Sequence, residues 1–240
     1  SIPEGSVSTS GNIVAQATDP AGSNDPFTFT FDCDNNGSFE TSANPSTSAA
    51  DCFFDDNGSF TVNALVVEDD TGSDTGSTIA VVTNVPPTAF MPNAGPVNEG
   101  SPATLTFENE FDPSGADTSA GFHYSIACDG LASSLATSYA AAGASPSADC
   151  TFGDDGEFTV MGRIFDKDDG SNDYRATVTV VNVVPTLNLD LSGSIPFFGG
   201  DAFIGTKGVE QTHSASSNDP GSDDLTFDWT FGPDPTAASE

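Results

Sequence analysis

The chain has 240 residues with 36 acidic and 4 basic side chains, so its formal net charge at neutral pH is −32. A surface this poor in Lys and Arg cannot displace the counterions of nucleic acid phosphates, which excludes a sequence-independent nucleic acid binder. Hydrophobic residues make up 36% of the chain but include 19 Phe and occur in short runs, which predicts a folded, β-rich protein. The longest uncharged stretch, residues 131–148, is too polar to enter a bilayer, so we expect no membrane insertion.

The predicted elements begin with short strands in which apolar and polar residues alternate. Phe and Thr alternate over residues 27–31, a second alternating run covers residues 60–66, and a similar run covers residues 158–164. A period of two is typical of strands that are buried on one face. The acidic, Gly-containing segment 69–72 predicts a hairpin turn after the second run. The Pro-containing linker 84–88 follows, and it favours an extended chain between two folded modules.

A repeat then organises the rest of the chain. Residues 54–88 align without a gap on residues 152–186, at an offset of 152 − 54 = 98. The front halves also match, at Glu4-Gly5-Ser6 with Glu99-Gly100-Ser101 and at three Asp-Pro pairs that begin at Asp19, Asp112 and Asp219. We therefore predict three modules: residues 1–88, residues 89–186, and residues 187–240 as the front half of a third. The first has no counterpart of residues 89–96, so its first strand is missing or supplied in trans.

About seven short antiparallel strands per module predict an all-β fold of tandem immunoglobulin-like β-sandwiches. The shared pattern runs E-G-S, D-P, L-T-F-D-W-T-F-G, D-D-G-x-F-T-V, D-D-G-S and T-V-x-V-x-N-V-x-P-T. This pattern resembles the PKD repeat, an immunoglobulin-like sandwich found in tandem on extracellular and microbial surface proteins. The family's core Trp is recognisable only at Trp229, because Phe31 and Ile126 stand at that position in the first two modules.

The resemblance implies a stalk, spacer or adhesion module without an active site. We expect an extracellular structural or adhesive protein that forms rods or fibres, with neighbouring repeats and copies of itself as partners. The half module would allow head-to-tail assembly by strand complementation. The alternative is an accessory spacer of a secreted hydrolase, or a module that binds surface glycans or proteins. The two His, His123 and His213, lie in no nucleophile motif, so no enzymatic activity is expected.

Each complete module carries two cysteines, Cys33 with Cys52 and Cys128 with Cys150. A pair at equivalent positions in each repeat predicts an intramodule disulfide bond, and disulfides favour an oxidising, extracellular compartment. A zinc site is the competing interpretation, but the C-x₂-C spacing that it usually shows does not occur. Free structural thiols are the remaining alternative.

Calcium is the candidate cofactor, because carboxylate and amide oxygens are the ligands that a hard cation prefers. Asp32, Asp34 and Asn36 alternate before a Gly, as in the front of an EF-hand-like loop. The other predicted ligands lie in the acidic turns of both modules, at Asp69, Asp70, Asp168 and Asp169. The competing interpretation is that these acids are solvated and keep the protein soluble.

Two N-x-S sequons, at Asn36 and Asn57, predict candidate glycosylation sites, although Asn-Gly-Ser is equally a turn composition. The Ser/Thr-rich inserts 41–50 and 133–147 predict mobile loops, and O-linked sugar on them is the alternative.

Overall fold

The structure, a computed structural model, describes residues 1–8, 13–18, 20, 26–39, 41–42, 48–189, 194–197, 200–203 and 214–228. Their regular secondary structure is mostly β-strand, arranged in several sheets, which confirms the predicted class of tandem immunoglobulin-like β-sandwiches. Among the described residues, none of the helices is long and apolar enough to cross a membrane.

The strands of the first module are short at its start and long at its end. Their bounds are β1 (Ile2–Pro3), β2 (Ser6–Val7), β3 (Phe27–Asp32), β4 (Thr41–Ser42), β5 (Phe53–Phe54), β6 (Gly58–Glu68) and β7 (Ser73–Thr83). The strands of the second module are β8 (Thr88–Phe90), β9 (Ala94–Asn98), β10 (Pro102–Thr106), β11 (Glu108–Phe111), β12 (His123–Ala127), β13 (Ser147–Thr151), β14 (Gly156–Phe165) and β15 (Ser171–Val181). Four strands follow: β16 (Thr186–Leu189), β17 (Ser194–Phe197), β18 (Gly200–Phe203) and β19 (Ala215–Asn218).

The first module has a sheet of order β1-β7-β6-β3-β4 and a second, two-stranded sheet of β2 and β5. The alternation predicted for residues 27–31 is present, because Phe29 and Phe31 are buried while Thr28 is exposed. Phe29 and Phe31 pack with Val62 of β6 in one core cluster. Strand β1 runs parallel to the end of β7, with Ile2 opposite Val82, so the start of the module lies beside the linker that leaves it.

The second module repeats this plan, with a sheet of order β12-β14-β15-β9 and pairs of β8 with β11 and β10 with β13. Strand β9 is parallel to β15, as β1 is to β7. Gly162 on β14 faces Phe107 and Met91, whose ring and sulfur would lie 2.6 and 2.7 Å from a Cβ at this position. Met91, which directly follows β8, therefore fills the space in front of β14.

The insert of the second module differs from its prediction as a mobile loop. It contains two short 3₁₀ turns, Ala132–Ser134 and Tyr139–Ala141. Leu135, between them, is buried with Ala127 and Met161. The insert therefore covers the second face of β14, and this explains why β14 is buried on both sides from residue 160 to 162 instead of alternating.

The chain forms two compact units. The first contains residues 1–93, 104–149 and 159–177, and the second contains residues 94–103, 150–158 and 178–240. The first unit thus holds the first module together with part of the second. The second unit holds another part of the second module together with the described part of the third. The module boundaries at residues 88 and 186 remain predictions.

Candidate metal centre

The site is built around the Glu that follows the parallel strand of each module, Glu4 after β1 and Glu99 after β9. In the first module the pairing of β1 with β7 fixes the backbone here, and the Glu4 N–H donates to the Thr83 carbonyl at 3.1 Å. The Glu4 side chain is buried, and its Oε1 accepts a hydrogen bond of 2.7 Å from the Val85 N–H. This Glu therefore fastens the linker to the start of its own module.

The acids that meet Glu4 come from the loop after β11, which the short helix α1 (Gly115–Ala120) shapes. Ser114 is its N-cap and accepts from the Asp117 N–H at 3.1 Å, while Asp112 Oδ1 accepts from the Ser114 N–H at 2.8 Å. Both carboxylates are buried, Asp117 completely. The capped turn thus orients two acids inward although the helix is only six residues long.

A fourth acid, Asp166, follows the end of β14 and is fully buried. Its Oδ1 accepts from the N–H groups of Asp168 at 2.9 Å and Gly170 at 2.8 Å. The Asn84 side-chain amide of the linker donates to the same oxygen at 3.2 Å. Asp166 is therefore held by its own hairpin turn and by the preceding linker at once.

We call Glu4, Asp112, Asp117 and Asp166 the first junction cluster. One carboxylate oxygen from each of Glu4, Asp112 and Asp117 lies within 4.8 Å of the others. Within the described part of the chain, Glu4 Oε2 and the Oδ2 atoms of Asp112, Asp117 and Asp166 are buried and have no hydrogen-bond partner. Buried polar atoms in folded proteins nearly always have a partner. Three of these residues are grouped by distance, and Asp166 lies close enough for its charge to raise the pKa of Glu4 and of Asp112. Such a set of buried oxygens without partners is an unusual arrangement.

The electrostatics of the cluster oppose its full ionisation. Burial raises the pKa of Asp112 to about 6, and the charges of Asp117 and Asp166 add to this effect. Burial also raises the pKa of Glu4 and of Asp166, with further contributions from the neighbouring carboxylates.

Lys167 partly compensates this charge on one side. Burial works against its ammonium group, but hydrogen bonds to Asp168, Asp56 and Asp117 raise the pKa of Lys167 overall. Its Nζ lies 2.7 Å from Asp56 Oδ1 and 3.2 Å from Asp117 Oδ1, and it also pairs with Asp168. Of the four acids that meet here, the Lys167 ammonium contacts only Asp117, through Oδ1. It does not neutralise Asp117 Oδ2.

The same arrangement recurs in the second unit. Glu99 is buried, and its Oε1 accepts from the Val183 N–H at 2.7 Å, as Glu4 accepts from Val85. Glu99 lies with Asp219 and Asp223 in a group whose carboxylate oxygens are within 4.8 Å of one another. Asn182 donates to Asp223 Oδ2 at 3.1 Å. We call Glu99, Asp219 and Asp223 the second junction cluster.

Most of the sequence-predicted calcium ligands lie outside the first junction cluster, but one carboxylate oxygen of Asp168 lies within 4.8 Å of oxygens of Asp56 and Asp117. Asp32 Oδ1 and Oδ2 accept from the N–H groups of Asn36 at 3.1 Å and Gly37 at 3.0 Å, and Asp34 Oδ2 accepts from the Asn36 amide at 2.9 Å. This loop therefore satisfies its own oxygens. Asp69 and Asp70 are exposed. The metal prediction stays untested for Asp32, Asp34, Asn36, Asp69 and Asp70. It also stays untested for Asp169, which accepts from the Tyr139 N–H at 2.7 Å. Asp168 belongs to the group around Lys167.

The other residues singled out in the sequence are the cysteines, two asparagines and two histidines. The predicted disulfide bonds are present: Cys33 pairs with Cys52, and Cys128 and Cys150 are also disulfide-bonded. Asn36 is exposed and Asn57 is half-buried, and their glycosylation remains a prediction. His123 stacks on Tyr139 with ring centroids 3.8 Å apart, whereas His213 lies outside the described residues.

Sequence analysis did not propose Glu4, Asp112 or Asp117 as metal ligands. A signal for them existed, because Glu4 matches Glu99 and Asp112 matches Asp219 in the alignment of the modules. An acid kept at a buried position of each repeat is more informative than a dense acidic loop, since loops tolerate acids for solubility alone.

The raised pKa of Asp112 predicts how stability changes with pH when divalent cations are chelated. The folded state holds this proton up to about pH 6, whereas the unfolded state releases it near pH 4. The folded state therefore binds more protons in this interval, and stability falls as the pH rises from about 4.5 to 7. We expect the melting temperature to fall over this range in EDTA and to fall less in Asp112→Asn. An equal fall in both proteins would contradict this assignment, and Asp74→Asn, at an exposed position, is the control.

Comparisons with known proteins show similarity only at the level of fold. No protein-family model and no curated protein sequence matches the chain. Among solved structures, human CDH23 EC21–23 is 13% identical with a TM-score of 0.36, over 90% of this chain and 82% of that one. The fibronectin(III)-like modules of Clostridium thermocellum CbhA are 15% identical with a TM-score of 0.29, over 75% and 87%. Drosophila N-cadherin EC1–4 is 13% identical with a TM-score of 0.32, and the match covers 73% of this chain and 46% of that chain.

Proposed function

We propose that the protein is an extracellular structural or adhesive protein, an array of acidic, disulfide-locked β-sandwich repeats whose main partners are its own repeats and further molecules of itself. The observation that carries this proposal is that one and the same contact joins successive repeats twice. Calcium is its proposed cofactor. A repeated contact of fixed geometry is what a stalk needs, because every added repeat then extends it in the same way.

The repeated contact brings backbone against backbone. Gly5 has φ +64°, and a Cβ here would overlap the carbonyl of Pro113 in the next repeat. Gly100 has φ +70°, and a Cβ here would lie 2.5 Å from the carbonyl oxygen of Pro220. Glycine is required at both positions for the conformation and for the close approach. The Gly and the Pro therefore form a matched pair at each junction.

A second contact recurs beside each pair. The Gly115 N–H donates to Asp55 Oδ1 at 2.8 Å in the first unit, and the Ser222 N–H donates to the Gly153 carbonyl at 2.6 Å in the second. Each hydrogen bond joins the loop after an Asp-Pro pair to the loop before the long strand of the preceding repeat. Two independent contacts at each junction favour a fixed angle between repeats over a loose tether.

Small-angle X-ray scattering of the monomeric chain tests the proposed array. The expected result is an elongated particle whose pair-distance distribution keeps a distinct shoulder at the spacing between repeats. A featureless distribution typical of flexibly linked modules would contradict the proposal.

Self-assembly by strand addition is supported by a groove of about 540 Å³ on the first module. Apolar side chains of two strands line it, together with residues 13–18. These side chains are Phe27, Phe29 and Phe31 of β3 and Val62, Ala64 and Val66 of β6. Glu68 and residues 72–78 line the rest of the groove. An added strand would bury its apolar side chains against the part formed by β3 and β6.

The second module indicates which strand fits the groove. The Ala15 N–H donates to the Ser48 carbonyl, and the Phe107 N–H donates to the Pro146 carbonyl. Ala15 and Phe107 therefore occupy equivalent positions in the two modules. In the second module β8 pairs with β11, directly after Phe107, whereas the residues directly after Ala15 line the groove. The groove thus lies where the second module has β8 and Met91.

The proposed donor is β16 of another molecule. It occupies the position of β8 one repeat later, since 186 − 88 = 98, and its Leu187 and Leu189 are 57% and 50% exposed. Within its own molecule one edge of β16 pairs with β19, so the proposed addition uses its other edge. Leu189 stands where Met91 stands in the second module. We propose that β16 of one molecule completes the first module of the next, with Leu189 in the groove.

Substitution of the donor strand tests this assembly. Leu189→Asp is expected to abolish filaments in negative-stain images and to leave a monomer in light scattering, because a charge would have to enter an apolar groove. Val184→Asp is the matched control, since Val184 is 79% exposed and lies before the donor strand. Filaments that persist in Leu189→Asp, or a wild-type protein that stays monomeric at high concentration, would contradict strand addition.

A further inference from the structure

We propose that the first junction cluster is a calcium-binding site that fastens the second repeat to the first. Glu4 supplies a carboxylate from the first repeat, and Asp112, Asp117 and Asp166 supply carboxylates from the second. Only the mechanical consequence of the ion depends on the proposed function, because binding itself is a property of the isolated chain. Four lines of observation lead to this site.

The first is the set of buried oxygens without partners. Asp117 and Asp166 are fully buried, and Glu4 and Asp112 are at most 5% exposed. Each keeps one oxygen without a hydrogen-bond partner among the described residues, while its other oxygen is fixed by a backbone N–H or by Lys167. The contact of one oxygen therefore orients each carboxylate, and the other oxygen is available to bind a cation.

The second is the charge balance. Burying several carboxylates together is costly unless a cation neutralises them. Lys167 is the cation nearest to Asp117, but its ammonium group already contacts Asp56 and Asp168. Two acids outside the cluster thus share this single positive charge. Lys167 does not pair with Glu4, Asp112 or Asp166, so their negative charge can be neutralised by another cation.

The third is the chemistry of the ligands, which are all carboxylate oxygens. Zinc prefers His and Cys ligands, whereas calcium accepts six to eight oxygens at irregular positions. Magnesium demands near-octahedral geometry and keeps several waters, which suits an open site better than a buried one. Asn84 adds a buried amide oxygen that has no hydrogen-bond partner among the described residues. Calcium fits this donor set best.

The fourth is recurrence. The second junction cluster places a buried Glu, with the same hydrogen bond to the linker, against two acids of the following repeat. Glu99 Oε2 and Asp219 Oδ2 are again buried and lack a partner within the described residues. An arrangement this unfavourable for the metal-free protein would not be expected twice unless a ligand compensated it.

Calorimetric titration of the chelator-treated chain with calcium chloride is the test. We expect wild-type protein to bind, and Glu4→Gln to lose one ion or to weaken its binding by at least tenfold. Asp74→Asn removes the same charge from an exposed position of the same repeat and should bind like wild type. Glu99→Gln should retain the ion of the first junction cluster. Unchanged binding in Glu4→Gln, or no binding by wild type, would overturn the proposal.

Thermal unfolding separates a ligand from a structural carboxylate. Calcium should raise the melting temperature of wild type and of Asp74→Asn, with a smaller rise in Glu4→Gln and Asp112→Asn. In EDTA, Asp112→Asn should melt no lower than wild type, because it removes a buried, uncompensated charge. A lower melting temperature of Asp112→Asn in EDTA, with an undiminished calcium response, would assign the acid a structural role and overturn the site.

The two proposals fail in different ways. If the chain binds calcium but scatters as flexibly linked modules, the calcium site is supported and the stiff array is contradicted. If it scatters as an elongated particle in EDTA and does not bind calcium, the array stands without the metal.

Discussion

Removal of the disulfide between Cys33 and Cys52 is expected to lower the free energy of unfolding of the first repeat by about 3 kcal/mol. The bond closes a loop with a sequence separation of 19 residues, so its loss returns considerable conformational entropy to the unfolded chain. The test variant is Cys33→Ser with Cys52→Ala, because Cys52 is buried in the core cluster and a hydroxyl there would lack a partner.

Differential scanning calorimetry measures this effect repeat by repeat. The transition of the first repeat should move to lower temperature, and the transition of the second repeat should stay. The corresponding variant of Cys128 and Cys150 should give the reverse pattern and is the internal control. A loss below about 1 kcal/mol would mean that the disulfide constrains a chain that is already restricted when unfolded.

The second large effect is expected from Gly5→Val, which should destabilise the junction by about 3 kcal/mol. A β-branched residue is strained at φ +64°, which alone costs about 1–3 kcal/mol, and its Cβ would overlap the Pro113 carbonyl. The contact between the repeats should therefore open, and Glu4, one residue earlier, should lose its position against Asp112.

Gly76→Val is the matched control for this substitution, because nothing lies within 4 Å of a Cβ at Gly76 and the residue sits in strand β7. Valine suits a strand, so this variant should melt at or above the wild-type temperature. Gly5→Val should melt lower and scatter as a more flexible particle. Equal scattering curves for wild type and Gly5→Val would show that the Gly–Pro contact does not fix the junction.

The sequence was sufficient for the repeat, the strands and the cysteines, because each depends on spacing along the chain. Alternation over residues 27–31 predicted one buried face, and Phe29 and Phe31 are on it. Buried and exposed residues do not alternate over residues 160–162 of β14. Here Leu135 of the insert covers the second face of the strand next to Met161. A tertiary contact of this kind leaves no local pattern in a strand.

The junction acids illustrate the same limit for function. Asp32, Asp34 and Asn36 match a known loop pattern, but their oxygens accept from N–H groups of the same turn. Glu4 and Asp112 match no pattern, because they lie more than a hundred residues apart and meet only after two modules have folded. Comparison of the repeats with one another provides the missing information, since it shows which acids recur at equivalent buried positions.

A last consequence follows from how the two clusters divide the second repeat. Glu99 belongs to one cluster, and Asp112, Asp117 and Asp166 belong to the other. If both clusters bind calcium, a single domain excised from the chain would contain an incomplete donor set for each ion, and its calorimetric titration with calcium would show no binding at these sites. Cation response would emerge only when two domains are expressed in tandem, and the number of ions would then grow with the number of boundaries, not with the number of domains.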